Sequence, residues 1–102
     1  MSVALLIKAA SAESSLVPIA TEVTYREVWQ SGAKALALEW MAAMQGGVVV
    51  TEDNRAEILD ELHKLRGWFE SNGHSSQSER VDLVVNALEG IRFDAGETAW
   101  IG

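Results

Sequence analysis

The chain has no cysteine, a single proline, two histidines and no cluster of lysine or arginine. Without thiols it has no thiolate nucleophile, no iron–sulfur ligands and no cysteine-based zinc site. A secreted domain this small would often be stapled by disulfides, so a reducing, cytoplasmic location is expected. Scarce proline and a near-neutral mean hydropathy argue against a disordered chain. Neutralising nucleic-acid phosphates or binding an anionic membrane surface requires grouped cations, so neither is expected as a partner. No apolar run approaches the roughly 18 residues of a membrane span.

A secretory leader is also not expected. Met1–Ala12 ends in Ala-Ser-Ala, which mimics a cleavage site, but its one cation, Lys8, follows the apolar run Val3–Ile7 instead of preceding it. That run reads as a strand.

What is present fits one domain. The 102 residues are 48% apolar and include four tryptophans, enough for a packed core without covalent staples. Fifteen acidic residues against eight basic ones give a net charge of −7. Most of the excess lies beyond residue 50. Such a field favours solubility or attraction to a basic partner.

Val3, Leu5 and Ile7 alternate with Ala4, Leu6 and Lys8, as in a strand buried largely on both faces. Small polar residues loosen the chain over Ser11–Ser15, and Pro18 marks a turn or extended segment. A helix starts near Thr21 or Thr24, where Thr24 and Glu27 form a candidate capping box. Tyr25, Trp29, Gly32 and Leu36 share one helical face. Gly32 weakens that helix by up to about 1 kcal/mol unless close packing needs the missing side chain.

The end of this helix has two readings. Propensity carries it through Lys34–Gln45 to a C-cap at Gly46-Gly47. Against that, Leu38, Trp40, Ala42 and Met44 alternate, and Val48-Val49-Val50 is strand-like, so Gly46-Gly47 becomes a hairpin turn. The hairpin is the preferred reading.

From Thr51 the pattern is plain. Thr51 is an N-cap, Glu52 and Asp53 suit the helix dipole, and Ile58, Leu62, Leu65 and Phe69 make the buried stripe of a helix ending near Ser71-Asn72-Gly73. Ser76 and Glu79 form a second candidate box ahead of Val81, Val84, Val85 and Leu88. Gly90 ends that helix, and Thr98–Ile101 is a final strand. The expected fold is α+β: a small sheet of the N-terminal strand, a central hairpin and the C-terminal strand, packed on about three helices.

Catalytic and cofactor patterns are missing. His63 and His74 lack zinc-ligand spacing, serine lacks a nucleophile elbow, and Gly46-Gly47 lacks the Gly-Lys-Ser/Thr of a phosphate loop. No enzyme activity, cofactor or metal is therefore expected. An enzyme acting through paired carboxylates would need two acids converging in a pocket. Trp29 and Trp68 lie on helix stripes and read as core. Trp40 and Trp100 lie in short strand candidates and can be partly exposed.

The one feature with a functional slant is the acidic helix. Asp60–Lys64 and Arg66–Glu70 are compensated at i,i+4, whereas Glu57 and Glu61 repel each other on one face. A solvated face is the plain reading. The functional one is that Glu57, Asp60, Glu61 and Trp40 bind a basic partner.

Three stretches carry a resemblance: Val28-Trp29-Gln30 through Leu36-Ala37-Leu38-Glu39-Trp40, Glu-Leu-x-x-Leu-x-x-Trp at Glu61–Trp68, and Trp100-Ile101-Gly102. They resemble a pattern of bacterial proteins of this size, and the overall outline resembles small bacterial toxin-immunity proteins, which bind a toxin's catalytic domain in the cytoplasm. The resemblance implies a neutralising role with a basic protein partner such as a toxin domain. It implies no site residues, because immunity families differ in fold. The alternative is a homo-oligomeric structural or scaffolding domain, a homodimer formed through apolar strand edges or Trp40.

Overall fold

The computed structural model describes residues 2–11 and 13–102. Met1 and Ala12, the two ends of the stretch weighed above as a leader, lie outside the described residues. The fold is α+β, with a four-stranded antiparallel sheet packed against helices.

The strands are β1 (Ser2–Lys8), β2 (Ser14–Thr21), β3 (Val48–Val50) and β4 (Thr98–Ile101), in spatial order β2-β1-β4-β3. Three of them, β1, β3 and β4, match the sequence reading, with β4 at its expected bounds and β3 at Val48–Val50. β2 is new. It pairs with β1 as an N-terminal hairpin, Leu5 opposite Val17 and Leu6 opposite Leu16. Pro18 can sit in it because β2 is an edge strand, where a missing amide breaks no ladder bond. A bulge opposite Val3/Ala4 lets Ile19 turn into the core.

The first helix, α1, covers residues 22–36. Thr21 caps it, its hydroxyl accepting from the Thr24 amide at 3.2 Å, so Thr24 lies inside the helix and its expected box with Glu27 does not form. A π-helical turn over Tyr25–Trp29 separates Glu22–Thr24 from Gln30–Leu36. Tyr25, Trp29, Gly32 and Ala33 are buried and Leu36 is exposed, so the stripe is displaced at its end. Close packing explains Gly32: a Cβ there would lie 2.5 Å from Leu65 Cδ1 and 2.8 Å from the Trp68 ring.

Neither reading of residues 38–45 holds as written. α1 stops at Leu36 because Ala37 takes a left-handed conformation (φ 55°), and a second short helix, α2 (Glu39–Ala43), continues into a 3₁₀ turn, Met44–Gly46. The Ala37 amide bonds to the Lys34 carbonyl and the Leu38 amide to the Ala33 carbonyl, while buried Leu38 and Ala33 supply the apolar contact that goes with this double closure. The buried residues are Leu38, Met41 and Met44, a spacing of three that suits a helical turn and not a strand. β3 therefore has no hairpin partner before it and pairs with β4 instead.

The two long helices are α3 (Glu52–Ser71) and α4 (Ser75–Glu89). Thr51 and Asn54 form a reciprocal capping box at the start of α3. α4 begins at Ser75 after His74, with no side-chain cap, so the expected Ser76–Glu79 box is absent. Its C-terminal end is closed by Arg55 of α3, whose guanidinium donates to the carbonyls of Leu88 (3.3 Å) and Ile91 (2.7 Å). Ile58, Leu62, Leu65 and Phe69 of α3 pack with Val81, Val84 and Leu88 of α4 in one buried cluster. Val3, Leu5, Val48, Val50, Ala99 and Ile101 enter that cluster from one face of the sheet. The other face carries no helix residue of the core, which corrects the reading of β1 as buried on both sides: Ala4 and Leu6 are only half-buried.

Candidate functional site

The four residues singled out for partner binding come together. Glu57, Asp60 and Glu61 project from α3 at i, i+3 and i+4, so helical geometry alone puts them on one face. The left-handed turn at Ala37 brings residues 36–40 across that face. Together they line an open cleft of about 530 Å³, formed by Leu36–Trp40 on one side and Ala56, Glu57, Asp60, Glu61 and Lys64 on the other.

Each carboxylate is held differently. Glu61 accepts from the Met41 amide at 3.0 Å. This bond closes the N-terminus of α2, whose N-cap residue, Leu38, has no side-chain oxygen to do so. Glu57 accepts from Trp40 Nε1 at 3.1 Å, and the indole is half-buried against the core. Both donors are neutral, so the two bonds orient the carboxylates without cancelling their charge. Asp60 is paired with Lys64 at 3.0 Å, both well exposed. Glu39, from the first turn of α2, is a fourth acid on the cleft, and Lys64 is its one base. The excess charge of the cleft is therefore negative.

The tyrosine below supports this arrangement. The buried Tyr25 hydroxyl donates to the Met41 carbonyl, and Gln30 Nε2 donates to the Ala42 carbonyl at 3.1 Å, so α1 also grips α2. Burial pushes the Tyr25 hydroxyl above its ordinary pKa of 10.0, against smaller lowering effects from backbone hydrogen bonds.

The other singled-out residues lie elsewhere. Trp29 is fully buried and donates to Gln77 of α4 at 2.8 Å. Trp68 is half-buried, edge-on to Phe69 and stacked on His74. His63 is exposed on α3. Arg66 reaches past Glu70 (3.4 Å) to a two-toothed pair with Asp82 of α4, at 2.7 and 3.1 Å. Among the described residues no group of three or more His, Asp or Glu is arranged to hold a metal ion, and no helix is long and apolar enough to cross a membrane.

Sequence reasoning missed Glu39 and the way residues 36–40 fold over α3. The available signal was the spacing of three between apolar Leu38, Met41 and Met44, which competes with the alternation of Leu38, Trp40, Ala42 and Met44. Comparison of the chain with known protein families, with curated protein sequences and with solved structures gives no match.

Proposed function

We propose that the chain is an acidic protein-binding domain that neutralises a basic protein, in the manner of a toxin-immunity protein, through the cleft between residues 36–40 and α3. The observation that carries this reading is the placement of Glu39, Glu57, Asp60 and Glu61 around one open cleft with Lys64 as its only cation. The neutral donors that fix Glu57 and Glu61 leave them charged and already positioned, so a cationic side chain entering the cleft meets preorganised acceptors. Trp40 adds an aromatic surface beside them, the residue type most often found as an interface anchor. A net charge of −7 steers a basic partner from a distance and raises its rate of association at low salt.

The test uses a double variant, Glu57→Gln with Glu61→Gln. Glutamine keeps an acceptor oxygen for the Trp40 and Met41 donors and removes only the charge. The wild-type chain, co-expressed with the product of its neighbouring gene, is expected to bind that product and to protect the cells from it. The double variant is expected to keep its melting temperature and lose most of that binding. Failure of the wild-type chain to bind or protect, or undiminished binding by a folded double variant, contradicts the reading.

A further inference from the structure

The face of the sheet turned away from the helices carries an apolar row from edge to edge, bordered on one side by the polar row Ser14, Lys8 and Thr98. The register sets Leu16 of β2 opposite Leu6 of β1, Leu6 opposite Trp100 of β4, and Trp100 opposite Val49 of β3. One row of large apolar side chains therefore crosses all four strands. Leu16 and Val49 are each 65% exposed and Trp100 is 45% exposed. Pro18 and Ala4 form the next row, beside Gly102.

Trp100 is held low on this surface by two glycines. A Cβ on Gly102 would lie 2.3 Å from the indole ring, and one on Gly47 would lie 3.3 Å from it. The ring thus occupies the space that side chains at 47 and 102 would fill.

Charge decides what can cover it. In a chain of net charge −7, none of the four strands contains an acidic residue, and Lys8 is their one charged side chain. A basic protein gains no electrostatic attraction on such a face, and an anionic lipid surface finds only Lys8. A second copy of this acidic chain, repelled elsewhere, meets here with no carboxylate of the strands opposed. Pairing through strand edges is blunted on both sides, by Pro18 in β2 and by the three-residue length of β3. Face-to-face contact has no such obstacle.

We infer that this face is a self-association surface, on which two copies pack sheet against sheet about a two-fold axis near Leu6 and Trp100 of the central strands. The inference is independent of the cleft, which no strand residue lines. Four strands about 4.8 Å apart and up to roughly 20 Å long give a plan area on the order of 400 Å². This lies below the roughly 600 Å² per partner of small specific interfaces, so the dimer is reversible, with dissociation in the micromolar range up to about 100 µM.

Sedimentation of the full chain from about 1 to about 500 µM tests it. The expected result is a monomer–dimer equilibrium that is unchanged or strengthened by about 1 M salt, since salt screens the repulsion between acidic copies and spares apolar contact. Leu16→Lys and Val49→Lys, at exposed positions, are each expected to weaken the dimer at least tenfold with the melting temperature retained. Glu57→Gln, on the cleft, is expected to leave it intact. A monomer throughout the range, which would assign the face to some other partner, or a dimer that survives both lysine variants, overturns the inference.

Discussion

The cleft and the open face of the sheet each display a tryptophan, and the two are held by different means. Trp40 is fixed by a polar bond, its indole N–H on Glu57, in a place where Glu61 and Tyr25 also hold α2 by hydrogen bonds. Trp100 is fixed by shape, lying where Gly47 and Gly102 have no side chains. The cleft concentrates negative charge, and the strands of the sheet carry no carboxylate. The first is therefore sensitive to salt and to isosteric loss of charge. The second responds to volume and backbone conformation. The two proposed surfaces share no residue, so either can be altered without touching the other.

The largest effect that separates the two regions is expected at Gly47. Its φ of 97° is unfavourable for any residue with a side chain, and a Cβ there also presses on Trp100. Gly47→Ala should lower stability by about 2 kcal/mol and expose Trp100 further, with a red-shifted emission component. Denaturant titration followed by tryptophan fluorescence measures both, and the Glu57–Trp40 bond should be untouched.

The counterpart in the cleft is Glu61. Removing its carboxylate with Glu61→Ala leaves the Met41 amide at the start of α2 without its acceptor and should cost about 1 kcal/mol. Glu61→Gln should cost much less. Equal losses for the two variants would show that charge, and not the cap, holds α2.

Ala37 tests the same region in the opposite direction. It occupies a left-handed position that glycine adopts without strain. Ala37→Gly is therefore expected to stabilise the chain by roughly 0.5–1 kcal/mol while leaving the sheet face unchanged. A loss of stability would mean that the added freedom of the unfolded chain outweighs the relieved strain.

The smallest expected difference is in pH response. The Tyr25 hydroxyl has a raised pKa, so folding favours its protonated form. Its contribution is complete below the ordinary value of 10.0 and is lost as pH rises through the higher folded value. Alkaline titration should loosen α2, and Tyr25→Phe should remove that component. At the other end of the scale, the Asp82 carboxyl is held below its ordinary value, first by its hydrogen bond to Arg66. Its contribution is present above the ordinary value and fades as pH falls through the lowered one. Neither group belongs to the sheet face.

The fold was legible in the sequence where local and tertiary signals agree. In α3, Thr51, the first-turn acids and the Ile58–Leu62–Leu65–Phe69 stripe all point to one helix, and each of those four apolar residues is buried. β1 was legible from alternation, β3 from its run of valines, and β4 as a short final strand. β2 was hidden because its proline, acceptable only at an edge, reads locally as a turn. The break at Ala37 was hidden because nothing in Ala-Leu-Ala-Leu opposes a helix. The break comes from packing, with Leu38 and Ala33 buried together and Glu61 closing the next helix from α3.

The candidate site was legible to the same extent. Glu57, Asp60 and Glu61 share a face by helical spacing, which a sequence displays. Their meeting with Trp40 and Glu39 depends on the turn at Ala37, which it does not. The row Leu16–Leu6–Trp100–Val49 required the register between four strands, one of which the sequence concealed.

The most direct test of the acidic cleft is the association rate between this chain and the basic partner proposed for it, measured for the wild type and for the Glu57→Gln/Glu61→Gln variant at low and high ionic strength. The expected result is a fast wild-type rate that falls steeply with salt, and a slower, flatter rate for a variant whose melting temperature is unchanged. Equal rates for the two proteins with the same salt dependence would contradict the account.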